Sequence, residues 1–136
     1  MNLINLFDID TLYGTRSFKL MEGDIADVNI PIDIVIAGAF KGGYNTTPGS
    51  LFGSLKEKRD IIIDHNYRKE NEDFRELFGT LYYPIQKDKN IKAILILEMV
   101  GRVETIEQAI QNLHITISIL ETKGHVFKTI MMLLLC

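Results

Sequence analysis

A chain of 136 residues, 46% of them apolar, is long enough to bury one core and too apolar for a disordered segment. Its formal net charge of −3 excludes a nonspecific nucleic-acid binder, which needs a basic surface to neutralise phosphates. Cys136 is the only cysteine, so no internal disulfide forms, and no apolar run approaches the roughly 20 residues that span a bilayer. With no secretory leader pattern, the expectation is a cytoplasmic protein without membrane or nucleic-acid partners. Two basic groups, Lys56, Lys58 and Arg59, then Lys87, Lys89 and Lys92, read as solvated ends of elements.

Leu3 to Phe7 reads as a short strand, with a turn marked by Asp8, Asp10 and Gly14. Phe18 to Met21 forms a second strand that ends in the acidic turn Gly23-Asp24-Ile25. Ile32 to Phe40 is longer, and its near-continuous apolar run suits a strand covered on both faces. Gly42, Gly43, Asn45 and Pro48 break the loop that follows. Pro48 fits a first helical turn, where its missing N–H costs nothing, so the spacing predicts a helix from about Pro48 to Lys58.

Asp60 to Asp64, with three consecutive isoleucines, predicts a strand, and His65 to Arg68 a turn. Phe74, Leu77, Phe78 and Leu81 have the spacing of a helix face over Asn71 to Leu81. Its carboxylates, Glu70, Glu72, Asp73 and Glu76, complement the helix dipole on a solvated start. Lys87 to Asn90 is a charged loop, and Ile91 to Leu97 a strand ended by Glu98. Thr105 opens a helix with an apolar stripe at Ile106, Ile110, Leu113, Ile117 and Leu120, stopped by Gly124. Val126 to Leu135 is the final strand. This alternation predicts one α/β domain over residues 1–136, a sandwich with a largely parallel sheet and right-handed crossovers.

Chemistry concentrates where the Ile32–Phe40 strand empties into a glycine-rich loop and then a helix. Such a junction presents backbone N–H groups and the positive end of a helix dipole to an anion. Gly42, Gly43 and Gly49 let backbone approach a diphosphate, and Thr46, Thr47 and Ser50 supply hydroxyls. The same loop also reads as an ordinary helix cap; it matches neither the P-loop nor the dinucleotide fingerprint. Phe40 and Tyr44 either stack on a base or pack inside. His65, His114 and His125 lack metal spacing, and no nucleophile elbow or acid–base pair stands out. No catalytic residue, metal or cofactor is therefore expected.

From Phe18 to Leu55, about a quarter of the chain, this order of strand, Gly-Asp-Ile turn, strand and glycine loop resembles a divergent macro domain. The resemblance implies a three-layer α/β/α sandwich with a mostly parallel mixed sheet that binds an ADP-ribose-type nucleotide. Gly23-Asp24-Ile25 matches the family's turn, whose aspartate accepts from the adenine amino group, a role that falls on Asp24. Read without the resemblance, Asp24 is equally a turn cap. The strand Asp33-Ile34-Val35-Ile36 matches the family's next element. The implied ligand set is Asp24, Ile25, Phe40, Gly42, Gly43, Tyr44, Thr47, Gly49 and Ser50. Ala39-Phe40 replaces the asparagine of hydrolysing members, and Gly42 to Gly49 replaces a triple glycine. The chain also stops before the family's second glycine loop, which implies a carboxyl-terminally truncated member without hydrolysis.

A rival reading is an interaction module without a small-molecule ligand. The apolar strand Ile130 to Leu135 is then either central or an exposed edge that pairs with a second chain, giving a homodimer. A third reading, an enzyme acting on a nucleoside derivative, needs a catalytic base that the sequence does not offer.

Overall fold

The apolar run Ile34–Phe40 forms β3, the central strand of a computed structural model that describes residues 2–11, 14–69, 72–99 and 106–132. β3 pairs in parallel with β6 (Ala93–Met99) on one side and with β7 (Ile130–Met132) on the other. Beyond β6, β5 (Thr80–Pro84) and β4 (Asp73–Phe74) complete a five-stranded sheet of order β4-β5-β6-β3-β7. β5 runs antiparallel to both of its neighbours. The sheet is therefore mixed, and the expected parallel character holds only for β6-β3-β7.

Successive strand residues point to opposite faces, and both faces of β3 and β6 are buried. Val35, Ala37, Ala39, Ile94 and Ile96 join one core cluster with Phe52 and Leu55 of α1 (Leu51–Arg59). Ile34, Ile36, Leu95 and Leu97 join a second with Ala109, Leu113 and Leu120 of α3 (Ile106–Thr122). The chain moves from β3 to β6 in one direction and returns past β3 to β7. The first connection contains α1, β4, α2 and β5, and the second contains α3.

Several expectations fail locally, each for a tertiary reason. Helix α1 starts at Leu51 rather than Pro48, because the Ser50 hydroxyl caps it by accepting from the Gly53 N–H at 3.0 Å. Residues 60–64 form no strand: Ile61 and Ile63 plug the core while Ile62 faces solvent, 55% exposed. The expected helix over 71–81 is instead β4, a single turn α2 (Arg75–Phe78) and β5. Gly79, at φ 68°, ends that turn in the left-handed region, and β5 then ladders onto β6. Glu98 does not end a strand; it lies inside β6 opposite Ala39. On α3 the buried line is Ala109, Asn112, Leu113, Thr116 and Leu120, whereas Ile110 is 57% exposed. A bond between the Thr80 and Thr116 hydroxyls at 2.7 Å accompanies that rotation. Gly124 follows α3 as expected, with φ 99°. The expected helix start at Thr105 and the last stretch of the final strand, 133–136, lie outside the described residues.

The first two strands are longer than their apolar runs. β1 (Asn2–Thr11) and β2 (Gly14–Glu22) form an antiparallel hairpin separate from the main sheet. Phe7 stands opposite Phe18 and Asp8 opposite Ser17, with a bulge between Leu3 and Asn5. Asp8 and Asp10, expected in a turn, remain in strand and accept from the Ser17 and Thr15 hydroxyls, both at 2.9 Å.

Candidate functional site

In sheets of this kind the crevice for chemistry lies beyond the carboxyl ends of the parallel strands. Here that end carries Phe40, the 41–50 loop and Glu98, which is buried at 7% exposure. A buried carboxylate needs partners. The Tyr44 hydroxyl donates to its Oε1 at 3.1 Å and the Gly42 N–H to its Oε2 at 3.2 Å. Arg75 Nε stands 3.8 Å from Oε1. Burial, reinforced by the Glu98 carboxylate, pushes the Tyr44 phenol up to about 12, so it stays a hydrogen-bond donor at neutral pH.

Arg75 joins this cluster to the 65–67 turn. It forks onto Asp73 at 2.9 and 2.8 Å and donates to the carbonyls of His65 and Tyr67 at 2.6 and 2.8 Å. Burial opposes ionisation of Asp73, but the Arg75 hydrogen bonds outweigh it and hold the carboxyl below the usual range. The Tyr44 ring packs on Phe52 and meets the His65 ring edge-on at 6.1 Å. With its donors engaged in this way, the cluster fixes the loop to the sheet. A cleft of about 200 Å³ beside it is lined by Arg68, Lys69, Asp73, Arg75 and Glu76.

The expected ligand residues divide into two groups. Phe40, Gly42, Gly43, Tyr44, Thr47, Gly49 and Ser50 lie on or beside the one loop, but several of their donors are already engaged. The Gly42 amide serves Glu98, the Gly43 amide bonds Phe40 O at 2.8 Å, and the Ser50 amide bonds Thr47 O at 3.1 Å. Tyr44 is buried, whereas Phe40 is 78% exposed. Asp24 and Ile25 lie against α1. Asp24 caps the short 3-10 turn Ile25–Asp27 through Ala26 N–H at 2.9 Å, and its other oxygen holds Lys58 Nζ at 3.0 Å. The Ala26 N–H, then Lys58, draws its carboxyl below the ordinary value. Ile25 is 2% exposed and belongs to the core. The turn-cap role of Asp24 is therefore present in the structure.

Sequence reasoning missed Glu98, Arg75 and Asp73 as a group. One signal was available: Glu98 is a lone carboxylate in the apolar run from Ala93 to Met99, where burial demands compensation. Among the described residues no three His, Cys, Asp or Glu side chains gather as a metal site.

The other unusual surface is apolar. Leu3, Ile4, Leu6 and Phe7 of β1 are 53%, 57%, 50% and 46% exposed. Leu3, Ile4 and Leu6 belong to neither core cluster. In the five-stranded sheet, β7 is the last strand, with Ile130 and Met132 46% and 55% exposed. No described helix is long and apolar enough to cross a membrane. Comparison of the chain with protein-family models, with curated proteins and with solved structures finds no match.

Proposed function

We propose that the chain is an interaction module, a macro-like three-layer α/β/α sandwich that self-associates through the outer edge of β7. The observation that carries this reading is the exposure of Ile130 and Met132 on an edge strand with no outer partner among the described residues. Unpaired N–H and C=O groups beside exposed apolar side chains are a template for another strand. A second copy is the occupant, because a two-fold axis lets one surface serve both partners. Two core clusters, one with α1 and one with α3, support the sandwich. Light scattering after size exclusion tests the reading: a dimer is expected, reduced to monomer by Ile130→Lys with Met132→Lys. Both side chains are half in solvent, so circular dichroism of the variant should stay that of the parent. A parent protein that remains monomeric overturns the proposal.

A second reading is an ADP-ribose-type nucleotide at the carboxyl end of β3. It is favoured by the exposed Phe40 ring beside the Gly42–Gly43 turn, a surface on which a base can stack. Calorimetric titration with ADP-ribose tests it. Heat that disappears in Phe40→Ala supports the reading, and no heat with the parent ends it.

A further inference from the structure

We infer that the strand which completes the β7 edge is β1 of a second copy, each chain lending its hairpin to the other. This rests on the self-association reading and names the partner surface. A two-stranded hairpin without a core is marginal in water. Yet Leu3, Ile4 and Leu6 of β1 belong to neither cluster and are about half exposed. The same chain thus carries a strand with exposed apolar side chains at Leu3, Ile4 and Leu6 and an edge strand without an outer partner among the described residues.

Their sequences are complementary. Laid antiparallel, Leu6 of β1 falls opposite Ile130 and Asp8 opposite Lys128. Ile4 and Met132 then meet at the apolar end. Apolar residues stand against apolar ones, and a carboxylate against an ammonium on an exposed lysine. β2 carries Arg16 and Lys19, whereas β1 carries Asp8 and Asp10, so β1 is the edge whose charge suits Lys128. Gly23, at φ 146° between the hairpin and the 3-10 turn, takes a backbone conformation that allows the ribbon to project.

Ile4, Leu6, Ile130 and Met132 are each about half exposed, and each contact between the copies covers part of that apolar surface.

Charge reversal tests the register. In sedimentation experiments Asp8→Lys, or Lys128→Asp, should weaken the dimer roughly tenfold, since two symmetry-related pairs turn repulsive. The double reversal should restore it. A second test uses Leu6→Cys with Ile130→Cys in a Cys136→Ser background. Oxidation should give a covalent dimer, because paired strands bring Cα atoms within disulfide reach. A dimer that survives both single reversals but is lost in the Ile130→Lys, Met132→Lys variant overturns the β1 assignment and leaves the β7 reading standing. A cross-link formed within one chain also overturns it. A monomeric parent fells both.

Discussion

Arg59 offers the sharpest test of how the fold is tied together. Its guanidinium forks onto Asp88 at 3.0 and 2.7 Å and donates to the carbonyls of Ala26 and Val28 at 3.0 and 2.6 Å. Asp88 also accepts from the amides of Asn90 and Ile91 at 3.0 and 2.8 Å. The pair therefore joins the end of α1, the 3-10 turn and the lead into β6. Both side chains are nearly enclosed, 11% and 10% exposed. Removing one partner of such a pair costs about 3 kcal/mol, chiefly because the other charge is left buried. Arg59→Ala should therefore lower the urea-unfolding free energy by roughly that amount.

The acid limb supplies an independent reading. The Arg59 hydrogen bonds, ahead of the backbone amides, lower the Asp88 carboxyl from 3.8 to about 2. A pKa lower in the folded state stabilises above the unfolded value and is lost as pH falls through the folded one. This contribution is thus complete above about pH 4 and gone by about pH 2. Its size is roughly 2 kcal/mol, from about 1.4 kcal/mol per pKa unit. Unfolding curves at several pH values for the parent and Asp88→Asn measure it; the variant should lack this part of the acid loss. Equal acid slopes in the two proteins, or an Arg59→Ala cost under about 1 kcal/mol, would refute the argument.

Other substitutions test the packing and the loop. Gly53→Ala should destabilise strongly and shift the thermal midpoint downward, because a Cβ there would lie 2.1 Å from the Thr47 carbonyl oxygen, a backbone atom. Leu81→Ala empties a fully buried position and should cost about 2–5 kcal/mol in chemical unfolding. Glu98→Ala leaves the buried Tyr44 hydroxyl and the Gly42 amide without their acceptor, at about 1–3 kcal/mol. Amide exchange of the 41–50 loop should quicken in that variant. Unchanged exchange would mean that the carboxylate does not hold the loop.

What the sequence disclosed follows the range of the forces involved. The central strand was legible because Ile34–Phe40 carries its own burial pattern, and the stop at Gly124 because a left-handed terminus favours glycine locally. Phe74 to Leu81 misled because helical spacing coincided with a strand, a single turn and a second strand, in which Leu81 pairs with Ile96 of β6, well along the chain. Tertiary pairing overrode local periodicity there, as it did on α3, where Thr116 bonds Thr80 and Ile110 turns outward. Three isoleucines at 61–63 looked like a strand, but only alternate ones were needed to fill the core. At the site, loop and helix cap were readable from Gly42 to Ser50, whereas the Glu98–Tyr44–Arg75 cluster joins residues 54 apart in the case of Tyr44 and Glu98. No local pattern announces such a meeting. The exposure of Leu3, Ile4 and Leu6 was hidden for the opposite reason: an apolar strand looks the same in sequence whether or not something covers it.

Sedimentation equilibrium of the parent chain beside Ile130→Lys, Met132→Lys, over a wide concentration range, bears most directly on the proposed assembly. The account requires a parent mass that rises to twice 15.5 kDa while the variant stays at the single-chain value. A parent that holds the single-chain mass at every concentration, or a variant that dimerises as tightly as the parent, contradicts it.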